Sequence, residues 1–454
     1  MNSFIRFLRG QKIRPELRTT FRLALPLMLG ELSSMLMGVA GNMMVGRLGE
    51  EALAAAGIGG VVFALSMLLV WGSVRMIPTP VAEAHELRDG TRVRVLLTAG
   101  LVLGVLLAAV AGSILLLGIQ WFHLLGQDPG VAATATGYLR IIVWSMPVLV
   151  VYTLLVSFVD AFQYVRLTMV LSFAGLALDV FLNWIFIFGN WGMPALGIHA
   201  IAMNTGISHG VMSLVLAIVI WRKRELDYFR QALLQWGDVW QQTAAFIRTG
   251  VPSALQMFVE FGAFAIGTII VGQISKTEQA ANQMVINLVS VTYVTIMGIS
   301  TAGMIRIGQA LAYRSRVRIW MAGVSTLVLA LLLMSIPTVL FLSIPETVLR
   351  LYTDEASLLG VGVTLLVLGG LFQLADAAQA VCISLLRAMN DVNVPTLMSV
   401  VAFWVVGIPL GYWLAVPMGW HAKGIWVSYL VALIIQASLF MWRFFMLVKR
   451  YRPE

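Results

Sequence analysis

The sequence predicts an all-α integral membrane protein: twelve transmembrane helices in two six-helix lobes, related by pseudo-two-fold symmetry along the membrane normal. Three observations predict it. Of 454 residues, 60% are hydrophobic and 11% charged, against about 25% charged in soluble domains. The apolar residues form runs long enough to cross a bilayer. The second half of the chain repeats the first at a nearly constant offset.

Composition excludes an ordinary soluble enzyme and a disordered chain, because this much apolar surface cannot be hidden from water by one soluble core. A nucleic-acid binder is excluded as well. The formal net charge is +9, but its Lys and Arg lie in short clusters between apolar runs and do not cover one basic face. The single Cys382 leaves no disulfide framework. Met1 to Arg22 are basic, with Arg6, Arg9, Lys12, Arg14, Arg18 and Arg22. The long apolar run that follows reads as a retained first span, not a cleaved signal peptide.

A bilayer core of about 30 Å needs roughly 20 apolar residues per helix. The runs near 18–46, 51–80, 93–121, 132–156, 165–189 and 195–221 make the N-terminal lobe, residues 1–221. Segment 222–244 mixes charge with Trp236 and Trp240, and reads as a cytoplasmic surface helix linking the lobes. Runs near 245–273, 278–307, 319–344, 356–384, 394–416 and 421–446 make the C-terminal lobe, residues 245–454. Continuous apolar runs favour helices over a β-barrel. One side of the predicted membrane holds 23 Lys and Arg and the other 4, so both termini are placed in the cytoplasm.

The repeat is in register through residues that apolar composition would not match. At an offset of 226, Pro26 falls on Pro252, Gly41 on Gly267, Gly46 on Gly272 and Asp128 on Asp354. At 227, Ser157 falls on Ser384 and Gly197 on Gly424. Six spans per half give both halves one orientation, as in transporters built from parallel repeats. Rocking one lobe against the other would give alternating access.

Carboxylates inside apolar spans are costly, so each is a site hypothesis. Glu31, Asp179, Glu260 and Asp376 lie well within spans, and Asp160 at a loop edge. Such groups can trade protons or, with other oxygens, hold a dehydrated Na⁺. Asp376 has Gln373 and Gln379 on its helical face, and Asp179 shares a face with Asn183. Ser34, the repeat mate of Glu260, follows Glu31 by three positions. Asn282, Gln283 and Asn287 form a polar stripe in the eighth span, able to line a cavity or to glue helices. Arg75 is deep enough to pair with a carboxylate, while Arg140 and Arg306 sit near span ends. The histidines, His85, His123, His199, His209 and His421, show no metal-ligand spacing. No phosphate-binding glycine loop is present, so an ion gradient is the expected energy source and no cofactor is expected.

Several stretches, ALPLMLGELSSMLMGVAGNMMVGRLGEEALAAAG, LDVFLNWIFIFG, VPSALQMFVEFGAFAIG, AANQMVINLVS and LLRAMNDVNVPT, together resemble the multidrug and toxic compound extrusion (MATE) family, in particular its NorM-like bacterial branch. The resemblance spans nearly the whole chain. It implies a multi-pass protein of the bacterial inner membrane that exports amphipathic, often cationic drugs by H⁺ or Na⁺ antiport. Its partners would be small organic molecules and lipid, with no nucleic acid, and it would act as a monomer. It implies cation-coupling roles for Glu260 and Asp376, both possible Na⁺ ligands. Two departures bear on the first half. Gly41, followed by Asn42, stands where the family commonly has an aspartate, and Asp179 stands where it tends to have Asn. Asp179, or else Glu31, is therefore the expected N-lobe carboxylate. Phe372 replaces an expected Tyr. Asn183, Gln283, Asn287, Ser34, Asn42 and Phe372 are the candidate substrate-cavity residues. The alternative is a lipid-linked oligosaccharide flippase of the same superfamily, which would need cationic side chains at its core.

Overall fold

A computed structural model of the chain describes residues 13–120 and 129–452. Arg6, Arg9, Lys12, His123 and Asp128 lie outside the described residues. Helices α1 (Ile13–Gly46), α2 (Glu50–Val74), α3 (Pro78–Glu86), α4 (Gly90–Gln120), α5 (Pro129–Ala161), α6 (Val165–Phe188) and α7 (His199–Arg222) make up the first half. A one-turn α8 (Asp227–Arg230) precedes α9 (Trp236–Ile274), α10 (Lys276–Ala312), α11 (Arg316–Ser343), a short α12 (Pro345–Leu349) and α13 (Ala356–Ala388). Then come α14 (Asn393–Val400), a π-helical stretch Val401–Gly407, α15 (Ile408–Ala415) and α16 (His421–Arg450). Twelve helical segments among the described residues are long and apolar enough to span a membrane, with α2–α3 and α14–α15 each counted as one. No strand occurs among the described residues.

The repeat is visible in the backbone. Arg88 and Arg314, in register at 226, both adopt positive φ (52° and 48°), and Gln163 and Asn390, in register at 227, do the same (66° and 61°). Non-glycine residues rarely enter the left-handed region, so the same turn has been built twice.

Three boundaries differ from the sequence reading. Helix α5 runs to Ala161, so Asp160 is no loop residue: it sits in the last turn, 4% exposed, with its Oδ1 accepting from Thr168 Oγ1 at 2.6 Å. Helix α9 starts at Trp236, so the second half of segment 222–244 belongs to the seventh span, and only the stretch before it is linker. Arg387, which lies beyond the tenth run at 356–384 and so is one of the 23 basic residues on the cytoplasmic side, closes α13 and is 4% exposed.

The contacts divide the chain into two compact units, 1–28 with 255–454, and 29–254. Helices α1 and α9 each change unit two residues after an internal proline, Pro26 and Pro252, where the ring removes an i→i−4 hydrogen bond.

In the unit containing the C-terminal half, Phe264, Phe372, Phe403, Trp426 and Tyr429 form a run of edge-to-face and tilted ring contacts, with centroids 4.7–6.1 Å apart. Glu16 pairs with Arg306, and Thr20 Oγ1 meets Ser325 Oγ at 3.2 Å, tying the start of α1 to α10 and α11. A Cβ at Gly298 would collide with the Met28 backbone. Gly298→Leu is therefore expected to destabilise the protein by about 1–3 kcal/mol, as overpacking does, read as a lower melting point in detergent, while Gly60→Leu, which meets open space, should change it little.

In the other unit, buried Leu96, Leu103, Leu115, Leu139 and Phe158 make the core of α4 and α5. The linker is fixed to this unit. Arg94 donates to the Arg230 carbonyl at 2.9 Å and to that of Ala232, closing the C-terminal end of α8, and Lys223 lies 3.6 Å from the Tyr164 ring centre. The Tyr164 hydroxyl donates to Glu225, and burial pushes both this phenol and that of Tyr228 up to about 12. Gly90 is required where α4 begins, because any Cβ would enter the Tyr228 carbonyl.

Candidate functional site

The polar groups that matter lie in two constellations, one in each unit. That of the C-terminal half is centred on Glu260, midway along α9. Its Oε1 accepts from three amides: Gln256 Nε2 one turn earlier on the same helix, Gln379 Nε2 of α13 at 2.5 Å, and Gln436 Nε2 of α16 at 2.8 Å. Gln436 Nε2 also donates to Ser399 Oγ of α14 at 2.6 Å. Behind Gln256 stands Arg387, whose Nη2 donates to Gln256 Oε1. Gln256, Gln379, Gln436 and Arg387 are all buried. The π-helical stretch after Ser399 turns Trp404 so that its Nε1 donates to the Val259 carbonyl at 3.0 Å, beside Glu260.

Asp376 of α13 is 7% exposed and close enough to Glu260 for their charges to interact. Among the described residues no hydrogen-bond donor reaches it. One turn earlier, Gln373 is fully buried and donates to Thr292 Oγ1 of α10, while its own Oε1 has no partner among the described residues. The two glutamines flanking Asp376 thus serve different neighbours.

In the first half, Asp179 and Asn183 lie one turn apart on α6, 5% and 0% exposed. Asn183 Nδ2 donates to Asp179 Oδ2 at 2.8 Å, Ser208 Oγ to Asp179 Oδ1 at 3.4 Å, and Asn204 Nδ2 to Asn183 Oδ1 at 2.9 Å. Asn204 and Ser208 come from α7 and are fully buried. Asp179 therefore accepts hydrogen bonds from uncharged groups, inside a core where an unpaired charge is costly. Glu31 has a different setting. It is on an exposed face of α1, with Arg75 and Asp160 as charged neighbours. A second polar pair stands near, Tyr152 Oη and Ser172 Oγ at 3.3 Å, with His209 edge-on to the Tyr152 ring at 4.9 Å.

The candidate cavity residues separate into two sets. Ser34, Asn42, Gln283 and Asn287 are exposed, with Ser34 Oγ donating back to the Gly30 carbonyl at 3.2 Å. Asn183 is sealed in the Asp179 network, and Phe372 is 4% exposed between Phe264 and Trp426. The stripe on α10 divides likewise: buried Asn282 accepts from Trp426 Nε1 at 2.8 Å, as helix glue, whereas Gln283 and Asn287 face outward. Among the described residues no three His, Cys, Asp or Glu side chains converge on a metal position.

Sequence reasoning missed Gln256, Gln436, Ser399, Arg387, Asn204 and Ser208. Gln256 alone had a signal, four positions before Glu260. The rest join across helices, and span counting cannot see which faces meet.

The profile of the MatE family matches the chain twice, over residues 26–185 and 252–413. Among curated relatives, a protein of Bradyrhizobium diazoefficiens described as "Probable multidrug resistance protein NorM" is 30% identical over 436 residues, covering 95% of this chain and 93% of that one. A protein of Mesorhizobium japonicum with the same description is 29% identical over 439 residues, covering 95% and 94%. Among solved structures, the eukaryotic MATE transporter AtDTX14 superimposes with a TM-score of 0.87 at 19% identity, over 97% of this chain and 99% of that one. An outward-facing multidrug resistance MATE transporter superimposes with a TM-score of 0.86 at 18% identity, over 97% of each.

Proposed function

The chain belongs to the MatE family of membrane transporters, and on that premise we propose that it exports amphipathic, often cationic organic compounds from the cytoplasm by cation-coupled antiport. The two six-helix lobes alternate access, both termini are cytoplasmic, and the membrane is the bacterial inner one. The coupling ion is H⁺ or Na⁺, and no cofactor takes part. The observation that carries this reading is that each half holds a carboxylate constellation among apolar spans: half-buried Glu260 with buried Asp376, and buried Asp179 with Asn183. Carboxylates in such places mark ion pathways and proton relays. The curated relatives named as multidrug resistance proteins support the substrate class. Exposed Ser34, Asn42, Gln283 and Asn287 are assigned to substrate contact, while Asn183 and Phe372 act from behind it. Asp179 is the N-lobe carboxylate, because it has the cross-helix network and Glu31 an exposed helix face.

Efflux of ethidium or a fluoroquinolone from everted vesicles, with H⁺ and Na⁺ gradients collapsed separately, tests the proposal. Asp179→Asn, which keeps shape and removes the charge, is expected to slow efflux by about 5–150-fold, the usual range of coupling between two sites. Unchanged efflux in that variant would remove Asp179 from the mechanism. If no organic cation moves at all, transport of a lipid-linked oligosaccharide becomes the better reading.

A further inference from the structure

Phe181 and Trp184 stand three positions apart on α6, on the face turned away from buried Asp179 and Asn183. Trp191, in the loop that follows, folds back onto them. Its ring lies 5.5 Å from that of Phe181 at 74°, and 6.0 Å from that of Trp184 at 90°. All three side chains stay open to the surroundings, Trp191 at 75% exposure. We propose that Trp191, Trp184 and Phe181 form a clamp for an aromatic organic cation, at the membrane face that span count puts opposite the start of α1. The ligand class rests on the export reading; the site does not.

The backbone carries the first argument. Trp191 adopts φ 59° and ψ 24°, in the left-handed region. For a bulky residue this is rare and costs stability, and residues held this way cluster at functional sites and ligand clamps. The turn itself does not demand it, because Gly189 and Gly192 on either side already have positive φ (74° and 78°). The second half makes the comparison. At offset 227, Gly419 matches Gly192 and also has positive φ (67°), but Met418 stands in the place of Trp191 and is not among the residues with positive φ. The mates of Phe181 and Trp184 are Ile408 and Gly411. The second copy thus lacks both the strain and the rings, and the first copy has both.

The loop is fixed before any ligand arrives. Asn190 Nδ2 donates to the Trp184 carbonyl at 2.8 Å, and the Leu196 N–H to the Phe186 carbonyl at 2.8 Å. A ring held in place loses little freedom on binding.

Ring chemistry selects the ligand. Aromatic faces are negative and attract cations. Three other rings of this chain are served by its own cations: Lys223 over Tyr164, Arg318 over Tyr313 and Lys423 over Trp420. Among the described residues no Lys or Arg lies over Phe181, Trp184 or Trp191. Rings at right angles make a corner, where a flat cation stacks on one face and meets the second ring with its edge. Trp is common at membrane interfaces, but a lipid anchor needs neither a left-handed backbone nor perpendicular partners.

The test irradiates the full-length protein in nanodiscs with ethidium monoazide and maps labelled peptides by mass spectrometry. Label is expected within residues 181–197, chased by tetraphenylphosphonium and not by uncharged triphenylphosphine oxide. Trp191→Asn keeps a backbone conformation that Asn tolerates and removes the ring. Half-maximal labelling of this segment is then expected to need about 2- to 30-fold more probe, the worth of one cation–π contact, while the melting temperature does not fall. Trp191→Phe restores a ring and should recover part of the loss. Phe181→Leu leaves the turn untouched and should weaken labelling in the same direction. Absence of label from this segment, equal chase by the oxide, or natural labelling of Trp191→Asn would each overturn the proposal. If the label behaves as expected but no ion gradient moves ethidium, the export reading fails and the clamp stands. Ion-driven efflux without label in this segment removes the clamp and leaves the export reading.

Discussion

Asp376→Asn should abolish ion-driven export, lowering the initial rate by on the order of 100-fold, the upper end of typical site–site coupling. The substitution keeps side-chain volume and removes the charge that an ion would neutralise. It should not damage the fold: among the described residues Asp376 accepts no hydrogen bond, and a buried carboxylate without donors is a cost that the neutral amide relieves. Melting temperature should therefore be unchanged or slightly higher, and substrate should still bind. The check is paired: gradient-driven ethidium efflux in proteoliposomes, and ethidium binding by fluorescence in detergent. Loss of efflux with retained binding is the expected pair. Efflux at the natural rate would show that ion and drug are coupled elsewhere.

Trp426→Ala has the largest expected effect on stability. Trp426 is 2% exposed, contacts Phe372 and Tyr429 with centroids 5.7 and 6.1 Å away, and donates its Nε1 to Asn282 Oδ1 at 2.8 Å. Truncating a buried aromatic costs about 3–5 kcal/mol through lost packing and the cavity left behind. The Asn282 carbonyl would also lose its donor, at about 1–3 kcal/mol. Trp426→Phe keeps much of the packing and should lose less. Thermal melting followed by size-exclusion chromatography ranks natural protein, Trp426→Phe and Trp426→Ala in that order. If Trp426→Ala melts with the natural protein, the aromatic run around Phe264 is not what holds α10, α13 and α16 together.

How much was legible beforehand depended on the range of the interaction. Span number came from run length, because the bilayer imposes a minimum on each helix. The repeat came from Pro26 and Pro252 and the glycines, and the paired positive-φ turns at Arg88 and Arg314 show that the copies share backbone detail. The positions of Glu260 and Asp376 were legible because charge is scarce in this chain. Their inequality was not. It depends on Gln436 and Arg387, separated from Glu260 by more than a hundred residues, and on which faces of α9, α13 and α16 meet. Arg387 was misplaced for a specific reason: a cation next to a loop scores as a topology signal whether it points to water or, as here, into the helix bundle. The linker boundary was misjudged because Trp236 and Trp240 suit an interfacial helix as well as the first turns of α9.

The central claim, that export is driven by ion exchange, is tested most directly on the natural protein in proteoliposomes holding ethidium under an imposed cation gradient. Expected is accumulation against the ethidium gradient that stops when the H⁺ gradient or the Na⁺ gradient, one of the two, is collapsed by an ionophore. Accumulation that survives the collapse of both contradicts it.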